Sequence, residues 1–228
     1  MKSNPLFLLL PALIIGSIMA MGWNTKQSLA KPQQVFKQVT IGTQTWMAEN
    51  LNVDTFRNGD TIFQARTRAD WQLATKKKLP ACCYYNNDSS IGAVYGRLYN
   101  FNAVSDPRGL APVGWHIPSG MEWHLLHEFL GGERGEVAHV LKSTSGWLKN
   151  GNGVDRYGFN AMPAGVRTFA IITPNQGYRW IHSLGIWWST NKPRNYPDVE
   201  CFVIRSKKNP SFEWHESSGG YSVRCIKD

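Results

Sequence analysis

Pro118, Ser119 and Glu122 on one side and Gly131-Gly132 on the other bracket the stretch PSGMEWHLLHEFLGG. A serine with a glutamate three residues on forms a capping box: the serine oxygen takes a first-turn N–H and the carboxylate returns to the cap. A glycine pair ends such a helix by supplying the backbone reversal beyond its last carbonyls. These signals confine the helix to Gly120–Leu130, about three turns. Elsewhere turns dominate. Twenty-one glycines and twelve prolines punctuate 228 residues, so loops and short strands should outweigh helices. The length suits one domain with a real core and a short extra segment.

Placed at about 100° per residue, Met121, Trp123, Leu125, Leu126, Phe129 and Leu130 fall in one arc of roughly 200°, with His124, His127 and Glu128 opposite. The expectation is an amphipathic helix that buries the six apolar residues and exposes both histidines. A metal on His124, His127 or Glu128 would need further ligands and an organised second shell, and the order His-x-x-His-Glu is not that of metalloproteases. No metal site is expected here. His116, in a Gly-Trp-His-Ile-Pro turn, is expected to bond to backbone.

A second helix is expected over Arg134–Lys142, with Val137, Ala138, Val140 and Leu141 inward. Strand patterns begin at Lys37, where Val39 and Ile41 alternate with polar residues before Gly42-Thr43. Asn58-Gly59 marks another turn. Asn86-Asn87-Asp88 suits an Asx-type turn better than a calcium site, which wants six to eight oxygens. Three strand candidates close the chain: Glu200–Arg205, Ser211–His215 and Tyr221–Ile226, with Asn209-Pro210 as the turn between the first two.

The N-terminus has the pattern of an export signal over residues 1–30. Lys2 precedes an uncharged, mostly apolar run, Leu6–Trp23, and Ser28 and Ala30 place small residues where a signal peptidase cuts. Pro11 and Gly16 inside the run disfavour the rival reading, an uncleaved anchor, although the run is just long enough to span a bilayer. Residues 31–36 read as a linker and residues 37–228 as one domain. The expected location is the periplasm, outer surface or extracellular space, with no stable membrane insertion after cleavage.

Removing Lys2 and Lys26 takes the net charge from +9 to +7, which favours anionic partners. The basic residues are scattered, however. Lys76-Lys77-Lys78 and Lys207-Lys208 lack the aromatic interleaving of a single-strand groove, so nucleic acid is not expected; both clusters read as solvated loops. Four cysteines, Cys82, Cys83, Cys201 and Cys225, are an even number in an exported chain and so are disulfide candidates. The adjacent pair should point to opposite faces of a strand. Cys201 and Cys225 lie on strand candidates and would bridge if those strands ran side by side; pairings with Cys82 or Cys83 compete.

The stretches IGTQTWMAENL, CYYNND, YGRLYNFNAV, GLAPVGWHIPSGMEWHLLHEFLGG, LKSTSGW, YGFNAMPAGVR, WWST and GYSVRCIKD resemble, in order, the Fibrobacter succinogenes major paralogous domain, a family of exported bacterial domains. The resemblance implies an α+β, C-type-lectin-like domain with two helices, a small twisted antiparallel sheet and long loops, through kinship with the formylglycine-generating enzyme group. Relatives often carry a cysteine where this chain has Ala111, a natural mate for Cys225; without it, Cys225 either finds another partner, with Cys201 as the candidate replacement, or stays free.

Three functions follow. The first is an enzyme of the oxidase type, using C-terminal thiols as those relatives do to hold copper. Cys201 and Cys225 are far apart in sequence, and no Ser-His-Asp elbow, phosphate loop or carboxylate pair appears; catalysis and cofactors are therefore not expected. The second is a lectin. The calcium-lectin motifs are missing, but tryptophans stack on sugars without calcium, and Trp180, Trp187 and Trp188 are the candidates for ligand contact. The third, and the expected one, is a non-catalytic envelope or extracellular module that binds glycan or protein through its loops.

Overall fold

The computed structural model describes residues 35–148, 150–169 and 177–228. The signal segment and residues 31–34 of the linker therefore lie outside the described residues.

Gly42-Thr43 closes the first hairpin, where Gln38–Ile41 (β1) pairs antiparallel with Gln44–Met47 (β2). Gly42 adopts φ 62, and a Cβ there would lie 2.9 Å from the Phe129 ring, so this position needs glycine twice over. The other elements are Phe63–Gln64 (β3), Arg68–Lys77 (α1), Ala81–Cys83 (β4), Ser89–Tyr95 (α2), Leu98–Tyr99 (β5), Phe101–Val104 (α3), Trp115–His116 (β6), Gly120–Phe129 (α4), Val137–Leu141 (α5), Val166–Arg167 (β7), Tyr178–Arg179 (β8), Leu184–Trp188 (β9), Asp198–Arg205 (β10), Lys208–Glu216 (β11) and Ile226–Lys227 (β12). The strands assemble as β1-β2-β12-β6, β11-β10-β9, β3-β4-β5 and β7-β8. The fold class is α+β, as expected. Among the described residues no helix is long and apolar enough to cross a membrane.

The expected capping box is present: Ser119 accepts from the Glu122 N–H, and Glu122 returns to the Ser119 N–H at 2.7 Å. The face that α4 buries differs from expectation. Trp123, Leu126 and His127 point inward, His127 with 3% exposure, while Met121, Leu125 and Phe129 are 68%, 54% and 57% exposed. The cause is tertiary. The Trp123 ring stacks on Phe202 of β10 at 4.7 Å and 10°, and Phe212 of β11 covers the histidine side, stacked on His124 at 3.6 Å and edge-on to His127.

Helix α1 was not expected. Its own capping box, Thr67 with Asp70, starts it, and Lys76 and Lys77 fall in its last turn, where cations meet the partial negative charge of the helix end. The lysine cluster read as a loop is thus a helix terminus. Helix α5 buries the four expected residues over a shorter span. The turn between β10 and β11 falls at Ser206-Lys207 rather than Asn209-Pro210. Pro210 sits within β11, an edge strand beside a register shift, where a missing N–H leaves no ladder partner unpaired. The last strand candidate shrinks to β12, preceded by isolated bridges at Gly220, Tyr221 and Ser222.

Arg224 ties the two ends of the domain together. Fully buried, it donates to the carbonyls of Met47, Phe159 and Asn160 and to the Asn50 side chain.

Candidate functional site

Residues opposed across neighbouring strands share a sheet face. Register places Val199 opposite His215, Cys201 opposite Glu213 and Val203 opposite Ser211. The charged and polar residues of β11 therefore share a face with the apolar residues of β10. Arg205, beyond the register shift, reaches back along this face: its Nη1 and Nη2 donate to Glu213 Oε1 and Oε2, at 2.5 and 2.8 Å, and Nη1 also meets Ser211 Oγ at 3.2 Å. The Arg205 hydrogen bonds hold the Glu213 carboxyl down to about 2. His215 stands 3.4 Å from Glu213 without a well-formed hydrogen bond, and burial lowers its affinity for a proton.

Above this face opens a cleft of about 810 Å³. Val166, Leu184, Ile186 and Tyr221, all buried, form its apolar floor, and Arg205 and His215 belong to its wall. Thr168, Phe169, Trp180 and Trp214 contribute the rim, together with Ser206, Lys207 and Lys208 at the β10–β11 turn; Asp198, Glu216 and Gly219 lie at the other end of the strands. An apolar floor with a few placed polar groups is the usual make-up of a ligand site.

With Trp214, 46% accessible, Trp180 is an exposed aromatic of this rim, at 51%. Trp180 opens the turn Trp180–Ser183 between β8 and β9 in the left-handed region, φ 61, a costly backbone conformation for a bulky residue. The turn is held on both sides. The N–H groups of Ser183 and Leu184 donate to the Trp180 carbonyl at 3.1 Å, and the Ser206 N–H donates to the Ser183 carbonyl at 3.2 Å. Gly165 (φ 67) passes beneath, where a Cβ would come within 2.6 Å of the Arg179 carbonyl and the Ile181 nitrogen.

A smaller cleft lies at the start of α4, lined by Ser119, Gly120, Met121, His124, Thr190, Asn191 and Glu200. There Glu200 accepts from Asn191 at 2.6 Å and stands 3.4 Å from His124. His116 does not bond to backbone through its ring, as the turn reading had it; the ring bridges Asp228 and Glu122, each at 2.8 Å. Among the described residues no three His, Cys, Asp or Glu side chains gather to hold a metal. Asn86-Asn87-Asp88 is a turn, with Asn86 and Asn87 at positive φ and Asp88 capping α2 through the Ser90 N–H.

The family model described as the Fibrobacter succinogenes major domain matches residues 39–227, from within β1 to the end of β12. The chain belongs to that family. No curated protein and no solved structure matches the chain.

In this Fibrobacter succinogenes major domain the tryptophan expectation divides. Trp180 is exposed at the cleft, whereas Trp187 and Trp188 are wholly buried. Strand β9 is covered on both faces, and both indoles are satisfied internally, Trp187 by Asn50 at 2.8 Å and Trp188 by the Tyr99 carbonyl at 2.7 Å. They are core residues, not ligand contacts. The cysteine pairing is also corrected. All four thiols are free and buried. Cys201 lies on β10, between β9 and β11, whereas Cys225 leads into β12, which pairs with β2 and β6; the assumed neighbouring strands belong to different sheets. Cys82 and Cys83 do face opposite sides of β4, one in the central core cluster and one in the cluster around Trp71.

Sequence reasoning did not single out Arg205, Glu213, His215 or Trp214 and took Lys207-Lys208 for a solvated loop. The signal was present in SFEWHE, where Ser211, Glu213 and His215 alternate with aromatics. A polar residue at every second position marks one face of a strand.

Proposed function

We propose that this domain is a non-catalytic binding module of the cell envelope or extracellular space, and that the cleft over β9–β11 holds glycan. The observation that carries this reading is Trp180, half-exposed at the mouth of an apolar-floored cleft and held there in a left-handed backbone conformation. An exposed indole offers a broad apolar face with a polar edge, which suits the alternating C–H and hydroxyl surface of a sugar ring. Export supports the location: Leu6–Trp23 with the cut after Ala30 gives a mature chain whose module begins near Lys37. The C-type-lectin-like assignment belongs to the same proposal, supported by two ten-residue helices, small antiparallel sheets and long connections.

The alternative, an oxidase built on Cys201 and Cys225, requires accessible thiolates. Burial pushes the Cys225 thiol up to about 12 and that of Cys201 well above its ordinary value, which favours the binding module. A glycan array with the full chain tests the reading. Saturable binding lost in Trp180→Ala, with unchanged thermal stability, is the expected result; an array without any binder sinks it.

A further inference from the structure

The cleft is polarised along its length. At the β10–β11 turn stand Lys207 and Lys208, and the same end is joined to Trp180 through the hydrogen bond from the Ser206 N–H to the Ser183 carbonyl. Arg179 adds a third cation, its guanidinium 5.6 Å from the centre of the Trp180 ring. None of these three has a carboxylate partner among the described residues, whereas Arg205 is bound on both nitrogens by Glu213. The opposite end is acidic. Asp198 and Glu216 stand directly across from one another at the far end of the ladder, and two like charges in that position repel. From Asp198 to Arg205 the strand covers seven steps of about 3.3 Å, so the two ends lie roughly 23 Å apart.

We infer that the ligand of this cleft is an acidic saccharide, seated with a sugar ring on Trp180 and its anionic group, carboxylate or sulfate, at the Lys207–Lys208 turn. The inference rests on the glycan reading of the same cleft. The aromatic platform selects a sugar ring and makes no demand on charge. The unpaired cations beside it do: they attract a negative substituent, while the acidic far end excludes one, so the ligand is oriented as well as held. Arg205 does not compete for the anion, because Glu213 already occupies its fork. These three solvated cations each add a modest, salt-sensitive contribution, which together predict a preference rather than an absolute requirement.

The test is calorimetric titration of the full chain with three oligosaccharides of equal length: neutral, uronic-acid-containing and sulfated. Both acidic ligands should bind roughly tenfold more tightly than the neutral one, the excess shrinking as salt is raised. Whichever acidic ligand is tighter identifies the anionic group. The double substitution Lys207→Gln with Lys208→Gln, at two exposed side chains, should abolish the preference, bringing the acidic ligands down to the affinity of the neutral one; Arg179→Gln should reduce it. Trp180→Ala should remove binding of all three. Equal affinity for neutral and acidic ligands, or a preference that survives the lysine substitutions, overturns the inference and leaves the glycan reading standing. Absence of binding to any of the three overturns both.

Discussion

Glu213 on β11 takes both terminal nitrogens of Arg205 on β10, across a strand pair whose register shifts between Val203 and Arg205. The pair fixes Arg205, which lines one wall of the cleft, and should show itself in acid. The carboxyl, ordinarily near 4.5, is held down to about 2. A depressed carboxylate contributes stability that is complete above its unfolded value and is lost as pH falls through its folded value. Both side chains are partly solvated, so the contribution is about 1 kcal/mol. Glu213→Gln should lower stability by that amount at neutral pH, and the gap to wild type should close between about pH 4.5 and 2. Urea unfolding across that range checks it; a gap independent of pH counts against the ion pair.

His116 should titrate above its ordinary value. Partial burial opposes its charge, but the hydrogen bonds to Glu122 and Asp228 prevail and raise it. The linkage has the opposite sign to that of Glu213: the stabilisation is complete below the unfolded histidine value and disappears as pH rises through the folded one. In NMR titration, Asp228→Asn should shift the His116 midpoint down. An unmoved midpoint would mean that the Asp228 side chain does not engage the ring.

The orientation of α4 makes mutational contrasts. Trp123→Ala removes the ring stacked on Phe202 and should cost roughly 3–5 kcal/mol. His127→Ala empties a buried position edge-on to Phe212 and should cost roughly 1–3 kcal/mol. Leu125→Ala, on the exposed side, should stay within about 0.5 kcal/mol. Denaturant melts that reverse the order of His127 and Leu125 would reinstate the face expected from hydrophobicity alone.

The four thiols should be silent in the native protein. Cys82 and Cys225 are pushed up to about 12 by burial, and Cys83 and Cys201 are raised for the same reason. Alkylation should be negligible before unfolding and reach four groups after it. A reducing agent should leave the melting temperature unchanged. A crosslinked peptide in non-reducing maps would disprove this arrangement.

Local chemistry made part of this protein legible in its sequence. The α4 boundaries follow from Ser119, Glu122 and the glycines, whose effects act within one turn of backbone. The Gly42-Thr43 and Asn58-Gly59 turns, the inward set on α5 and the opposed faces of Cys82 and Cys83 are local in the same sense. The Thr67–Asp70 capping box that starts α1 was equally local and was overlooked.

What lay outside the sequence was which surface covers which. Leu125 and Leu126 are chemically identical, yet only Leu126 is buried, because Phe202 receives Trp123 and Phe212 shelters His127. Trp187 and Trp188 looked as available to a ligand as Trp180 until β9 was found covered on both faces. Cys201 and Cys225 looked like neighbours until their strands were found in separate sheets. The cleft itself depends on a diagonal contact between Arg205 and Glu213 and on a turn brought beside them by the Ser206–Ser183 hydrogen bond. Capping and turn formation are decided by groups a few residues apart, whereas burial is decided by packing between segments distant in the chain, and only the tertiary structure brings those segments together.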